Sequence, residues 1–271
     1  MTNSVQYFKG HGTKNDFVLI QDLNDSIKIT QQQVKEICDR ENGIGADGLL
    51  KVVKKNEKFF MDYRNADGSI AEMCGNGARV FALFLKKNNL VANNQFSFET
   101  RSGDVEVNFK SENEISVSMN LASLRNRKVK VLVNNHTYLA ECVDSPNPHA
   151  VAFVENLSEV GDLKISPKVE PNQEFPEGVN TEFVKIISEN HVQMRVFERG
   201  SGETLSCGTG ACAVATVMRQ RSNNNISEFK IDVLGGSLVI KFDAKKMTMT
   251  GPAIIEKQGI LNENWYSKIN E

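Results

Sequence analysis

The sequence contains itself twice, and that repetition limits the folds open to it more than any other feature. Cys74-Gly75-Asn76-Gly77-Ala78 returns 133 residues later as Cys207-Gly208-Thr209-Gly210-Ala211. The same offset lays residues 95–109 over residues 228–242, matching Phe96 to Phe229, Gly103 to Gly236 and Phe109 to Phe242. It also sets Asn65 opposite Glu198, each nine residues before its cysteine. Two shorter segments repeat at nearly the same spacing, residues 15–20 with 147–152 and 45–52 with 179–186. One doubling over 271 residues is no solenoid, which stacks many short units. It predicts two similar domains about a pseudo-twofold axis: residues 1–125 with Cys74, and 126–271 with Cys207. Residues 256–271 have no repeat partner, so they are free to cross back onto the first half. Sites in such proteins tend to form between the halves.

The pattern inside each half is many short strands around one apolar helix. Residues 78–87 (ARVFALFLKK) and 211–221 (ACAVATVMRQR) have helical composition and end in asparagine-rich stops. Both are too apolar for surface helices and are expected to be buried. A second helix is expected at residues 30–39 with Thr30 as N-cap, and a counterpart near residues 156–163. Strands are expected at 105–109, 115–119, 129–133, 183–187, 192–197, 238–242 and 247–250, from alternation and β-branched content. One helix for so many strands is an α+β pattern, not a doubly wound βαβ sheet.

Composition closes off several functions. The chain carries 32 Lys+Arg against 34 Asp+Glu, a net charge of -2, so no basic excess points to nucleic acid or an anionic membrane. No apolar run approaches the roughly 20 residues of a bilayer span, and the first residues lack the basic-then-apolar order of a secretory signal. Five cysteines, an odd number with no C-x-x-C pair, argue against a disulfide framework and a zinc site. The expectation is a reduced cytoplasmic protein with no metal.

The chemistry points to two of those cysteines. A single cysteine ahead of a helix is ordinarily small core filler. Here Cys74 and Cys207 each precede Gly-x-Gly at a helix start, in duplicated positions. A helix N-terminus offers free N–H groups and a positive dipole end, which hold an anion and lower a thiol's pKa towards neutrality. Glycines let the backbone approach a ligand closely. Duplication would face two such thiols across one site. A general base and a general acid on opposite faces of one tetrahedral carbon invert it, with the roles swapped in the reverse direction. Cys212 lies five residues past Cys207, roughly 140° around the helix, and is assigned with Cys38 and Cys142 to the core.

The flanking residues carry a resemblance. Asn65-Ala-Asp-Gly-Ser, Glu72-Met-Cys-Gly-Asn-Gly-Ala-Arg79 and the run from Glu198-Arg199-Gly to Cys207-Gly-Thr-Gly-Ala-Cys212 resemble the diaminopimelate epimerase family. So do Gly12-Thr-x-Asn-Asp-Phe17, Gly43-Ile-Gly-Ala-Asp-Gly48, Pro146-Asn-Pro-His149 and Gly178-Val-Asn180. The resemblance runs from about residue 8 to beyond 250. It implies two pseudo-symmetric α+β domains, each a β-barrel-like sheet around a central helix, and a homodimer. It implies an amino-acid epimerase that needs no cofactor and interconverts LL- and meso-diaminopimelate for lysine and peptidoglycan. Cys74 and Cys207 are then the acid–base pair. The amides of Gly75-Asn76 and Gly208-Thr209 hold the reacting carboxylate. Asn15, Asn65, Asn147, Asn180, Glu198 and Arg199 bind the remaining groups, and His149 and Glu198 adjust the cysteine pKa values. Asparagine both donates and accepts, and arginine can grip a carboxylate in a fork, as a zwitterionic substrate requires. The chain departs from the pattern at Gly48, where many relatives carry a substrate-touching glutamine, and at Pro146, where glycine is common.

Three other readings share parts of this pattern. A cofactor-independent racemase of histidine or proline would use the same paired thiols, and the histidine type could keep most of the motifs. A phenazine-type isomerase shares the scaffold but lacks the cysteine pair. A redox or binding protein would join Cys74 to Cys207 in a disulfide.

Overall fold

A computed structural model describes residues 4–244 and 246–261. The chain divides into two compact units. One comprises the residues up to Val117 together with those from Pro252 onward, and the other is Ser118–Gly251. The division therefore falls at 117/118 rather than 125/126. The reason is that the strand beginning at Ser123 pairs with its successor at 136–145, which draws residues 118–125 into the second unit.

In the first unit, β1 (Val5–Gly12) turns through Thr13 and Lys14 into β2 (Asn15–Gln21). Both turn residues have positive φ, 49° and 66°. The unit continues with α1 (Gln31–Cys38), β3 (Gly48–Lys55), β4 (Lys58–Asn65), α2 (Gly75–Lys87), β5 (Gln95–Thr100), β6 (Gly103–Phe109) and the first residues of β7 (Glu114–Met119), whose last two belong to the second unit. Thr30 caps α1 in a reciprocal box: its hydroxyl accepts from the Gln33 backbone N–H, and the Gln33 side-chain Oε1 accepts from the Thr30 N–H. Helix α2 is buried on every side from Gly75 to Leu85, which its sequence foretold. Phe84 meets Phe8 of β1 at 4.9 Å between ring centres, and Phe81 meets Phe98 of β5 at 4.7 Å. Burying a phenylalanine of this kind contributes about 1.5–3 kcal/mol. Strands β2 and β3 run parallel, with Phe17 opposite Gly48.

The second unit repeats the plan. It holds β8 (Ser123–Val133), β9 (His136–Ser145), β10 (Asn147–Phe153), β11 (Lys168–Glu170), β12 (Asn180–Ser188), β13 (His191–Glu198), β14 (Gly202–Thr204), α3 (Gly208–Arg221), β15 (Glu228–Val233), β16 (Gly236–Phe242) and β17 (Met247–Pro252). Here β10 and β12 are the parallel pair, with His149 opposite Asn180. Helix α3 packs on β8, β9, β10, β12, β15 and β16, so the sheet wraps it. All seven expected strands lie inside observed ones, and both buried helices begin three residues earlier than expected, directly after their cysteines. The expected counterpart of α1 is absent: residues 156–163 contain only a 3-10 turn, Leu157–Val160, ended by Gly161 at φ 68°. The fold is α+β, sheet-rich with one largely buried helix per unit.

The last described strand, β18 (Ile254–Leu261), belongs to the first unit. It pairs antiparallel with β1 from Val5 opposite Leu261 to His11 opposite Ile254. Residues 262–271 lie outside the described part. No helix among the described residues is long and apolar enough to cross a membrane.

Candidate active site

Around Cys207 the second unit gathers most of its expected residues. Cys207 is the N-cap of α3, with extended backbone, and its sulfur accepts from the Gly210 N–H at 3.3 Å. The Thr209 hydroxyl lies 3.4 Å from the same sulfur. Gly208 and Thr209 are the first two residues of the helix, whose opening N–H groups have no partner within it. On the sheet beneath, Asn147 and His149 alternate along β10, and Asn180 and Glu182 alternate along the neighbouring parallel strand β12. All four therefore share one face. His149 Nδ1 stands 2.6 Å from Glu182 Oε1, both side chains wholly buried, and His149 Nε2 stands 3.0 Å from Asn147 Oδ1. A Cβ built on Gly210 would come within 2.7 Å of Glu182 Oε1 and 3.3 Å of Cys207 Sγ. The carboxylate and the thiol thus flank one glycine, and no larger residue fits there.

Glu198 ends β13. Its Oε1 accepts from the Thr204 hydroxyl at 2.5 Å, and its carboxylate also bonds the Cys207 thiol. It keeps some exposure, yet the protein packed around it lifts its pKa above the usual carboxylate range. The Glu182 carboxylate adds to that lift, while the bonds from Thr204 and Cys207 and the charge of His149 oppose it. Asn180 accepts the Arg199 backbone N–H at 3.0 Å and so fixes the turn after Glu198. Arg199 is exposed, and its guanidinium donates to the Glu177 carbonyl at 3.2 Å.

In the first unit the side-chain amide of Asn15 lies against Cys74. Cys74 N-caps α2, and its sulfur is 3.6 Å from Asn15 Oδ1 at the start of β2. Asn76 Nδ2 donates to the same oxygen at 3.2 Å, while Asn15 Nδ2 donates to Asp47 Oδ2 at 2.7 Å. Gly75 and Asn76 open the helix. Asn65, at the end of β4, accepts from the Tyr63 hydroxyl at 2.8 Å and donates to Ser69 Oγ at 3.0 Å.

Two sequence expectations change. The helix field was expected to bring the thiols towards neutral pKa values. At Cys207 the shift is the other way, well above normal: burial dominates, Glu198 and Glu182 reinforce it, and the bonds from Thr209 and Gly210 do not offset them. The duplicated sites are also not equivalent. Repeat alignment sets His149 on Phe17 and Glu182 on Gly48, so the buried His149–Glu182 pair of the second unit has an apolar counterpart in the first. A Cβ built on Gly77, the mate of Gly210, would come within 3.4 Å of the Phe17 ring.

Gly48 itself is explained. A Cβ there would lie 2.6 Å from the Arg64 carbonyl and 2.8 Å from the Tyr63 ring. Tyr63 fills the space a side chain at 48 would need and spends its hydroxyl on Asn65. Gly48→Ala is expected to destabilise the protein by about 1–3 kcal/mol, read as a lower denaturant midpoint.

Glu182, Asp47, Tyr63 and Arg79 had no role assigned from sequence. Glu182 was findable, because it lies two residues beyond Asn180 on a strand and must share its face. Asp47 stood inside the Gly43–Gly48 motif with no role of its own. Cys38, Cys142 and Cys212 are core, as expected, and burial pushes the Cys38 thiol up to about 12 and Cys142 to about 11. None of the five cysteines is in a disulfide. Among the described residues no group of three or more His, Cys, Asp or Glu is placed to hold a metal ion.

Solved structures of the same architecture span almost the whole chain. A hydroxyproline epimerase from Agrobacterium vitis matches with TM-score 0.70 at 12% identity, over 95% of this chain and 92% of that one. A phenazine biosynthesis protein of the PhzF family from Bacillus anthracis matches with TM-score 0.70 at 13% identity, over 96% and 99%. They establish a scaffold that racemases, epimerases and PhzF-type proteins share. Sequence comparison is more specific. The diaminopimelate epimerase family model matches residues 7–124 and 141–256. The chain is 41% identical to a diaminopimelate epimerase of Streptomyces coelicolor over 98% of both chains, and 37% identical to one of Corynebacterium glutamicum over 94% and 97%. The chain belongs to the diaminopimelate epimerase family, and it is an isomerase with an epimerase role.

Proposed function

We propose that the protein interconverts LL-2,6-diaminopimelate and meso-2,6-diaminopimelate by two-thiol acid–base catalysis. The observation that carries the reading is the pair of duplicated cysteines, each capping a buried helix whose first N–H groups can hold a carboxylate. One thiolate removes the α-proton from one face of the reacting carbon. The electron pair passes towards the α-carboxylate, held by the amides of Gly75-Asn76 and Gly208-Thr209. The other thiol delivers a proton to the opposite face. The carbon is inverted, and the two sulfurs have exchanged protonation states. The carboxylates around Cys207 favour its protonated form and so suit it to the donor half-reaction. When Cys207 must instead act as base, Glu198 is the acceptor already bonded to its thiol. Asn15, Asn65, Asn147, Asn180 and Arg199 supply the donors and acceptors that a substrate with two ammonium-carboxylate ends requires. The family identity of the close relatives supports diaminopimelate as substrate, and lysine and peptidoglycan precursor synthesis would follow from it. A cytoplasmic homodimer acting without cofactor belongs to the same reading.

The test is isotope exchange. LL-diaminopimelate incubated with reduced enzyme in D2O should gain deuterium at Cα as the meso form appears. Exchange with histidine or proline but not diaminopimelate would move the assignment to a sister racemase. No exchange with any amino acid would remove the mechanism.

A further inference from the structure

An isolated asparagine does not decide which end of its amide is oxygen; its neighbours do. Beside Cys74 two such amides lie in series, and the groups at the two ends of the series differ in kind. At one end Asp47 can only accept. Its Oδ2 takes the Asn15 NH2 at 2.7 Å and the Asp16 N–H at 3.0 Å, and its Oδ1 takes Arg40 Nη2 at 2.6 Å. Asn15 must therefore turn its oxygen inward. At the other end Arg79, wholly buried in the first turns of α2, can only donate. Its Nη2 reaches Asn76 Oδ1 at 3.0 Å, with the Thr13 hydroxyl 3.5 Å from the same oxygen. Asn76 must therefore turn its NH2 inward, where it meets Asn15 Oδ1 at 3.2 Å. The Cys74 sulfur faces that same Asn15 oxygen at 3.6 Å.

We propose that Asp47 and Arg79 are positioning residues that fix, from opposite ends, the amide orientations of Asn15 and Asn76, and so hold a carbonyl oxygen rather than an NH2 group against the Cys74 sulfur. A thiol can donate to that oxygen. A thiolate would meet a lone pair there, so this contact favours the protonated sulfur. The charged groups of this unit around the series include Asp47, Asp16, Arg40, Arg79 and Lys9, whose ammonium pairs with Asp16 at 2.9 Å. The proposal rests on the reading of Cys74 as an acid–base group, but its test needs no substrate, so failure of the epimerase reading would be seen separately in the exchange experiment.

Site-resolved alkylation of the full chain with iodoacetamide at neutral pH, mapped by peptide mass spectrometry, reads the reactivity of Cys74. In Asp47→Ala the Asn15 NH2 loses its carboxylate acceptor, and the amide is free to turn over and offer NH2 to the sulfur. Cys74 should then react about tenfold faster, the thiolate gain of roughly one pKa unit. Removing a negative charge would also speed the reaction by itself, so the same change is made in an Asn15→Ala protein, where no amide remains to turn. There the acceleration should be largely lost. Equal acceleration in both backgrounds, or none in either, overturns the proposal. Side-chain amide NMR of wild-type protein labelled with 15N-asparagine gives a reading that needs no variant to fold. The carboxylate-bound Asn15 NH2 should exchange slowly with solvent, and rapid exchange overturns the proposal as well.

Discussion

Cys74→Ala and Cys207→Ala should each lower epimerisation by about 10³-fold or more while leaving the circular dichroism spectrum and melting temperature close to wild type. Each variant loses one of two proton-transfer groups, so neither direction of the reaction can complete. The sulfur of Cys207 is bonded to Glu198, Gly210 and Thr209, yet alanine still fits a helix N-cap that already has extended backbone. A single cysteine variant that retained near wild-type turnover would end the two-thiol assignment. The two variants should also differ in partial chemistry. The enzyme that keeps Cys207 holds its remaining thiol among carboxylates, and the enzyme that keeps Cys74 holds it against the Asn15 side-chain amide. Their residual exchange rates in D2O should therefore be unequal for the two stereoisomers.

The second large effect is on stability. Glu182→Ala leaves the wholly buried His149 facing a cavity where its 2.6 Å partner stood, and should cost about 3 kcal/mol, read as a lower denaturant midpoint. The first unit suggests the repair, because Phe17 occupies the place of His149 there with no acid beside it. His149→Phe combined with Glu182→Ala should recover at least half of the lost stability and none of the activity. If Glu182→Ala unfolds at the wild-type midpoint, the pair is not what holds that sheet face to α3. If the double variant regains activity, His149 plays no part in the chemistry.

How much of this was legible in the sequence depends on the kind of information each feature needs. The repeat, the buried helices and all seven strands came from periodicity and apolar content, which act locally. The Thr30 capping box was readable because its parts lie three residues apart. The missing partner of α1 was misjudged because Asn156 to Glu159 is also a capping signature, and a cap does not guarantee a helix when Gly161 stops it. The two cysteines were legible because they were duplicated. What surrounds them was only half legible. The motifs that carry the resemblance named Asn15, Asn65, Asn147, His149 and Glu198, but Glu182 and Asp47 meet partners 33 and 32 residues away, at His149 and Asn15, and Tyr63 and Arg79 meet Asn65 and Asn76 only once strand and helix have formed. The near-equivalence expected of the thiols failed for the same reason. The cysteine motifs repeat closely, whereas Phe17 against His149 and Gly48 against Glu182 decide the field, and those substitutions look like ordinary drift until the strands are laid beside the helices.

The pairing of Val5 with Leu261 has a consequence for how the molecule is made. Residues 118–251 form one uninterrupted stretch and can collapse as soon as they leave the ribosome. The unit that is translated first must wait, with β1 lacking a neighbour on one edge, until nearly all of the chain has emerged. Synthesis order and completion order are therefore reversed, and during that interval the exposed edge of β1 is where a nascent chain is most open to mispairing or to a chaperone.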